Sequence, residues 1–441
     1  MNTKISSENI TLLLFCLILI ISLLLDLSVI YALLAGLVLF CAFAKIKGYG
    51  FRDIGKMVVD GTKTSVNIII ILALIGMLTG IWRASGTIAA IICWSARLIR
   101  PEIFLVAAFL LNCGVSLLTG TSFGTAATMG SICMGLANAM GIDPVFAGGA
   151  CMSGIFFGDR CSPVSSSAML VCQITGTDIY DNIKGMVKTS AVPFAITTVI
   201  YAVLGFITGG GNTDTDLKQL FGKEFDMTLL CAVPALIILV FALLRIKVRL
   251  TIITSVAAAA AVAMAVQHMS PASVAVTLVS GFSASDAAVG TMLNGGGLLS
   301  MVKTLAIVAI SSAYAGIFNA TGLLRSIQDL IEKLSSKITP FGGLVAASVF
   351  SSAISCNQTL ATMLCGQLCE KSIPDRQELA IALENTVILI AALIPWSICG
   401  AVPLATIGVP TRTLIFSIFI WLVPLWNLAK ALVASNLKKR T

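Results

Sequence analysis

Residues 156–170 read FFGDRCSPVSSSAML and form a polar stretch between two hydrophobic runs. Within ten residues the stretch holds an aspartate, an arginine, a proline and four serines. The 441-residue chain around it is 58% hydrophobic and 11% charged, with a mean hydropathy of +1.01. Soluble domains carry about 25% charged residues. The stretch therefore interrupts a chain that is otherwise suited to lipid.

Long apolar runs predict several membrane spans. Residues 10–25, 27–44, 229–244 and 251–266 approach the ~20 residues that a helix needs to cross ~30 Å of hydrocarbon. The short alternating strands of a membrane β-barrel do not occur in this sequence. We therefore expect an all-α polytopic membrane protein, a helix bundle of about 11–13 membrane segments. The first run has no small-residue cleavage site after it and is expected to be retained.

Basic residues cluster in short connections, which predicts the orientation of the chain. The clusters fall at 45–63, 245–249 and 438–440, whereas residues 211–226 are polar with a slight acidic excess. By the positive-inside rule the clusters and both termini are cytoplasmic, in a cell inner (cytoplasmic) membrane. These cytoplasmic clusters account for the net charge of +8, which therefore does not indicate nucleic-acid binding. A homodimer is compatible with the composition.

Enzyme motifs are missing from the sequence. The thirteen cysteines are scattered without a CxxC pair, and we expect them to act as small apolar packing residues. His268 is the one histidine, so neither a His-based zinc site nor a Ser-His triad is expected. The sequence predicts a protein that is not an enzyme and needs no cofactor.

The chain repeats itself at a nearly constant spacing. TGIWRASGTI (79–88) matches AGIFNATGLL (315–324) at an offset of 236, and GTSFGT (120–125) aligns with NQTLAT (357–362) at 237. Three further matches share an offset of 232: Asp143 with Asp375, Pro163 with Pro395, and Ser165 with Ser397. We predict a first transmembrane repeat at 1–210, an external connection at 211–226 and a second repeat at 227–441.

The charges predict that the two repeats are inverted. The basic hairpin 45–63 corresponds to 268–290, which contains no lysine or arginine. Opposite membrane orientation explains this asymmetry. Inverted repeats are typical of secondary transporters, in which the site lies near the midplane between the repeats. A two-fold related channel also fits this pattern.

Helix breaks are predicted at corresponding positions of both halves. The first pair is 116–130 with 351–364, and the second is the opening stretch with 385–404. Irregular backbone is tolerated within a membrane only where it is buried or lines a cavity, so paired breaks indicate a binding site. Packing of small residues between helices is the alternative explanation. The expected helix-break residues are Gly120, Gly124, Gly158, Pro163 and Pro395.

Two acidic residues lie in or beside these breaks. Glu384 stands alone in an uncharged stretch, 379–411, and an intramembrane acid is a candidate functional group by default. Asp159 lies either deep in the membrane or at the far interface. We expect Na⁺ to bind at these two acids. The expected ion- or substrate-binding residues are Thr121, Ser122, Thr125, Asp159, Ser162, Ser165, Ser166, Asn357, Thr359, Glu384, Asn385 and Ser397.

Four stretches resemble the NhaC family of sodium/proton antiporters: 118–130, 154–167, 356–361 and 383–400. Members of that family have a GDK-x-SPLSDT run, which Asp159, Ser162, Pro163 and Ser165 match here. Arg160 keeps the positive charge of the family's lysine. Ser166 stands where the family has a second acid, Ser167 where it has a threonine, and the family's Glu-Asp pair reads Glu384–Asn385.

The resemblance implies a secondary active transporter that exchanges Na⁺ and H⁺ across the cytoplasmic membrane by alternating access. The loss of two carboxylates favours an alternative within the same family, a Na⁺- or H⁺-coupled transporter of amino acids or organic acids. Hydroxyl groups suit such small organic solutes. A passive channel and an intramembrane enzyme are the remaining alternatives.

Overall fold

The computed structural model describes residues 7–25, 28–95, 100–163, 165–208, 217–244, 246–323 and 339–438. Within these ranges the regular elements are helices, and one isolated bridge joins Phe282 to Gly295. The predicted all-α fold is confirmed. Apolar runs give helices here because a helix satisfies its own backbone hydrogen bonds without water.

The helices are numbered in chain order. They are α1 (Ser7–Leu24), α2 (Val29–Ile46), α3 (Phe51–Lys63), α4 (Val66–Ala84), α5 (Thr87–Ser95), α6 (Pro101–Thr119), α7 (Ser122–Thr125), α8 (Ser131–Ala139), α9 (Pro144–Cys161), α10 (Ser166–Thr175), α11 (Ile179–Thr208), α12 (Leu217–Phe221), α13 (Val233–Leu243), α14 (Val248–Ala265), α15 (Pro271–Ser280), α16 (Ala287–Leu293), α17 (Val302–Thr321), α18 (Pro340–Ser355), α19 (Gln358–Cys369), α20 (Arg376–Asn385), α21 (Val387–Leu393), α22 (Ile398–Ile407) and α23 (Ile418–Lys438). A π-helical turn, Ala126–Gly130, joins α7 to α8 without a gap.

Six helices in the described ranges are long and apolar enough to cross a membrane. They include α2, α4, α6 and α11. A seventh span results if α20–α21 and α22, which are bent by 57° at a short break, count as one. The sequence predicts more segments than this because several of its apolar runs form shorter helices, such as α10, α15 and α18.

Corresponding helices of the two halves make corresponding contacts. α1 packs on α2 and α13 packs on α14, so that each half opens with a helical hairpin. The first-half helices α2 and α3 pack on α17, whereas the second-half helices α14 and α15 pack on α4. Each half thus places one long helix against the hairpin region of the other half.

Glycines at matching positions permit these contacts. A Cβ atom at Gly316 in α17 would lie 1.9 Å from the carbonyl oxygen of Met57 in α3. A Cβ atom at Gly80 in α4 would lie 2.9 Å from the carbonyl oxygen of Thr277 in α15. Both distances are too short for a real Cβ atom, so the close approach of each helix pair requires glycine.

Candidate functional site

The first pair of helix breaks adopts one conformation in both halves. α6 ends at Gly120, which is left-handed with φ 60° and ψ 27°, and α18 ends at Cys356 with φ 53° and ψ 12°. The next residues, Thr121 and Asn357, are extended, and their side chains accept hydrogen bonds from the following helices α7 and α19. Paired breaks are therefore present where the sequence predicts them. When the halves are aligned by backbone conformation, the equivalent turn residues Gly120 and Cys356 are 236 positions apart. The sequence match of GTSFGT with NQTLAT gives 237 instead.

The second pair of breaks also recurs, with the offset of 232 that the sequence predicts. Each copy begins with an aspartate that caps a helix: Asp143 accepts from Val145 N at 2.8 Å, and Asp375 accepts from Glu378 N at 2.7 Å. Each copy ends with a left-handed glycine after α10 or α22. The three equivalent pairs are Asp143 with Asp375, Ser165 with Ser397, and Gly176 with Gly408.

Asp159 lies beside the first break. It is in the last turn of α9 and only 4% exposed. Its Oδ1 accepts a hydrogen bond from the backbone N–H of Ser122, the first residue of α7, at 3.2 Å. Its Oδ2 is buried and has no hydrogen-bond partner among the described residues. The start of a helix stabilises a carboxylate through its free amides, so α7 holds one oxygen and leaves the other available.

Close packing of α9 on α6 brings Asp159 to this position. A Cβ atom at Gly158 would lie 2.3 Å from Leu117 N, and one at Gly154 would lie 2.4 Å from the carbonyl oxygen of Phe109. Ser162 Oγ donates to the carbonyl oxygen of Leu117 at 2.6 Å and ties the end of α9 to α6. Gly158 therefore serves helix packing and lies inside α9, not at a break as the sequence predicts. Gly124 likewise lies within α7.

Two of the consecutive serines fold back onto the end of α9. Ser165 Oγ and Ser167 Oγ both donate to the carbonyl oxygen of Asp159, the latter at 2.9 Å, and they contact each other at 2.8 Å. Ser166, between them, is exposed. Pro163 lies in the turn before Ser165, where a missing N–H costs nothing. Ser166, which stands where the family has a second acid, therefore lies outside this cluster.

Residues of the second half complete the surroundings of Asp159. The side chain of Gln358, the first residue of α19, lies near the Asp159 carboxyl group, and its Nε2 donates to the carbonyl oxygen of Ile388 at 2.9 Å. Cys399 in α22 also lies within electrostatic reach of Asp159. The amide of Ile398 donates to the carbonyl oxygen of Cys356 at 2.9 Å. Asp159 therefore lies where breaks from both halves meet, which places it in the protein interior.

Glu384 and Arg160 are two further buried charges of this region. Glu384 in α20 is fully buried, and neither carboxylate oxygen has a hydrogen-bond partner among the described residues. Arg160 is also fully buried and donates from Nη2 to the carbonyl oxygen of Met186 at 3.0 Å, while Nε and Nη1 have no partner in the part of the chain that the structure describes. Arg160 and Asp159 both act electrostatically on Glu384. Buried charges are costly, so we take this region as a candidate functional site rather than as a source of stability.

The other expected binding residues occupy different environments. Thr125 Oγ1 is buried and contacts Thr119 Oγ1 at 2.9 Å. Asn385 Oδ1 accepts from Thr189 Oγ1 at 3.2 Å. Ser397 Oγ is buried without a partner among the described residues, beside Pro395 in the bend between α21 and α22. Thr359 is exposed.

Two polar cavities lie at the far ends of the helices that start at the breaks. The Arg83 cavity, about 300 Å³, is lined by Ala405–Gly408 at the end of α22 and by Ser131 and Asn138 around α8. The Arg376 cavity, about 380 Å³, is lined by Gln173–Gly176 at the end of α10 and by residues of α19. Gly408 and Gly176 are equivalent by the offset of 232. Each cavity starts eight residues, or roughly 12 Å of helix, beyond Ser397 or Ser165.

Comparison with known proteins fits this arrangement of paired breaks and buried acids. The chain matches the family model described as the Na⁺/H⁺ antiporter family over residues 1–156 and 154–433. The chain belongs to the Na⁺/H⁺ antiporter family. The resemblance to NhaC that the sequence motifs indicate is confirmed, and with it a multi-pass membrane transport protein of the antiport type.

Three curated relatives illustrate the range of this antiporter family. The chain is 31% identical over 411 residues to the Na(+)/H(+) antiporter NhaC of Bacillus subtilis (strain 168), covering 89% of this chain and 90% of the relative. It is 29% identical over 407 residues to NhaC of Alkalihalophilus pseudofirmus, covering 89% and 87%. It is 27% identical over 389 residues to the malate-2H(+)/Na(+)-lactate antiporter of Bacillus subtilis (strain 168), covering 85% and 82%.

Gln358 is a neighbour of Asp159 that the expected binding residues do not include. An offset of 237 pairs Gln358 with Thr121, a capping residue. The structural offset of 236 pairs it with Ser122, whose amide holds Asp159. The constant offset of 236 at Gly80–Gly316 and Gly86–Gly322 was the signal that identifies the correct pair.

Proposed function

We propose that the protein exchanges Na⁺ and H⁺ across a cell inner membrane, with Asp159 as the coupling acid. The observation that carries this function is the buried Asp159 carboxylate between the breaks. Its Oδ1 accepts from Ser122 N, and its Oδ2 bonds none of the described residues. A carboxylate in such a place takes up either a proton or a sodium ion, because an unpaired charge is costly there. The hydroxyl group of Ser122 and the amide oxygen of Gln358 are neighbouring oxygens that suit Na⁺.

The two cavities support an alternating-access mechanism. We infer that the two halves are inverted repeats, so that the Arg83 cavity opens to the outside and the Arg376 cavity to the cytoplasm. Supporting this sidedness, Ser85 lies near the segment predicted to be external, since Gln267 bonds both the Ser85 carbonyl oxygen, at 3.4 Å, and Asp226. Each cavity lies at the far end of a helix whose first residue follows a break. Opening one side and closing the other would then expose Asp159 in turn.

Glu384 supplies a second acid in this proposal. Arg160 offsets its charge from nearby without forming an ion pair within 4.0 Å. The fixed positive charge of Arg160 lowers the free-energy cost of ionising one of the two acids, Asp159 or Glu384. The second acid can ionise when a cation enters. We propose that Glu384 couples proton movement to sodium movement. A single chain contains all these groups, and a homodimer is compatible with them.

Exchange of a small organic acid is the second candidate function. Ser167 and Gln358 are neutral polar residues beside Asp159, and neutral polar groups suit a small organic solute. The similar malate-2H(+)/Na(+)-lactate antiporter shows by its name that relatives move organic acids. In that case Na⁺ and H⁺ remain the coupling ions.

Proteoliposomes with an internal pH-sensitive dye test the proposal. A sodium gradient applied without organic solute should move protons across the membrane, and an equal potassium gradient should not. Proton movement that appears only after an organic acid is added would replace sodium/proton exchange with the second candidate. A Na⁺ current with no proton movement under either condition would contradict both and indicate a channel.

A further inference from the structure

Arg83 gives the first of the two cavities an unbalanced positive charge. Of the described residues that line this cavity, Arg83 is the one that carries a charge. The remaining polar lining residues are Thr79, Ser131, Asn138, Asn294, Ser300 and Thr406. None of the proposed ion-coupling residues takes part in this cavity, so its charge calls for a separate explanation.

The backbone of a glycine-rich segment holds the Arg83 guanidinium in place. Arg83 Nη1 donates to the carbonyl oxygen of Asn294 at 3.0 Å, and this is its one hydrogen bond among the described residues. Gly295, Gly296 and Gly297 all have positive φ, which lets the segment press against α4. A Cβ atom at Gly295 would lie 2.6 Å from Arg83 Nη1. A guanidinium has five donor N–H bonds, so most of its capacity remains for a ligand.

Arg83 has no acidic partner among the described residues. In the part of the chain that the structure describes, no carboxylate lies within 4.0 Å of its nitrogen atoms. The equivalent residue of the second half, 236 positions on, is the neutral Asn319. The other cavity is lined by an arginine and an acid together, Arg376 and Glu370. The unbalanced charge therefore belongs to one side of the protein only.

A lone arginine in a polar cavity favours the binding of anions over that of cations. Charged rings and single arginines select ions in this way in membrane pores. A guanidinium also binds a carboxylate through two parallel hydrogen bonds. A site that served sodium and protons alone would gain nothing from this charge. The cavity volume of about 300 Å³ is at the lower end of the ~300–1,000 Å³ of small-molecule sites.

We propose that the Arg83 cavity binds a small organic carboxylate, with Arg83 as the group that recognises its carboxylate end. The amide group of Asn138 lines the same cavity and can bond polar atoms of the solute. The hydroxyl groups of Ser131 and Ser300 donate to the carbonyl oxygens of Ala126 and Gly297, so they offer acceptor oxygens to the solute. The carboxylate site rests on the proposed transport function and names the organic substrate class of this antiporter. The cavity opens on the side that the charge pattern predicts to be external.

Thermal unfolding of the purified full-length protein tests the carboxylate site. The probes are L-malate and L-lactate, each paired with its uncharged amide, malamide or lactamide, at neutral pH. We expect at least one acid to raise the unfolding temperature and its amide to have no effect. Arg83→Gln should weaken the apparent affinity by about 10-fold to 100-fold, the equivalent of one charge-assisted hydrogen-bonded contact.

Two further variants make the result specific. Arg100→Gln removes an exposed arginine outside both cavities and should leave binding unchanged. Arg83→Lys keeps the charge but loses the two-pronged geometry, so it should bind more weakly than the wild type. If Arg83→Gln does not yield folded protein, Arg83→Lys decides the question, and wild-type affinity in that variant would overturn the carboxylate site.

Transport assays separate the carboxylate site from the proposed function. Sodium-driven proton movement with no stabilisation of the wild type by either acid would overturn the carboxylate site and leave the antiport function standing. Equal stabilisation of wild type and Arg83→Gln would also overturn it. Absence of sodium-linked proton movement with and without either acid would instead remove the proposed function.

Discussion

Thr121 and Asn357 hold the same extended backbone conformation although 236 residues separate them. Their φ and ψ angles are −147° and 127° in one case and −142° and 125° in the other. Each residue follows a left-handed turn and accepts a hydrogen bond from the helix that starts after it. The two halves of the antiporter therefore meet Asp159 with the same helix start, Ser122 from one side and Gln358 from the other.

Replacement of the two coupling acids is expected to stop transport without unfolding the protein. Asp159→Asn and Glu384→Gln each keep the side-chain volume but remove the exchangeable charge. Sodium-driven proton movement in proteoliposomes should fall to the level of empty vesicles. Asp181→Asn is the control, since Asp181 is exposed and pairs with Lys184 on the surface. Normal transport by both acid variants would show that coupling occurs elsewhere.

The close contact between α6 and α9 predicts a large difference between two glycine substitutions. Gly158→Ala places a Cβ atom against the backbone of Leu117, so we expect it to lower stability by about 1–3 kcal/mol and to reduce transport. Gly114→Ala, in α6, meets no atom within 4 Å and should be neutral or slightly stabilising. Thermal unfolding in detergent measures both, and similar unfolding temperatures would contradict the packing role of Gly158.

The left-handed conformation of Cys356 predicts an unusual order of stability. Cys356→Ala loses the buried thiol and keeps the unfavourable φ of 53°, whereas Cys356→Gly relieves it. We expect the glycine variant to be more stable than the alanine variant by about 1 kcal/mol. Thermal unfolding again measures the difference. The opposite order would mean that the turn at Cys356 differs from the turn at Gly120.

Two serines at equivalent positions are expected to affect different properties. Ser165→Ala removes the hydrogen bond to the Asp159 carbonyl oxygen and the cap of α10, at a cost of about 1–2 kcal/mol. Ser397→Ala removes a buried hydroxyl that bonds no described residue, so stability should hardly change. Because Ser397 is an expected binding residue, Ser397→Ala should lower the apparent affinity of transport for sodium. Equal losses of stability in both variants would place Ser397 in a purely structural role.

Local sequence features predict the breaks because glycine, proline and capping residues act within a few residues of their own position. The turn at Gly120 and the caps at Asp143 and Asp375 follow directly from this chemistry. Contacts between distant segments are harder to predict. The hydrogen bond from Ser122 to Asp159 spans 37 residues and depends on how closely α9 approaches α6.

Neighbouring serines show the same limit at a finer scale. Ser165, Ser166 and Ser167 have the same chemistry, and only the backbone at the start of α10 decides which of them turn toward Asp159. A one-residue error in the repeat offset had a comparable effect, because it paired Gln358 with the wrong residue. The inverted orientation of the halves stays a prediction that labelling of each side of the membrane can test.

Matching turns give this protein an internal standard. The turn and cap residues at the breaks have counterparts 236 or 232 positions away in the same molecule, so both members of a pair are measured under the same conditions. A substitution on one side can thus be judged against its twin without any second protein for comparison. Where counterparts such as Arg83 and Asn319 differ, the two positions can be exchanged to measure what the difference contributes.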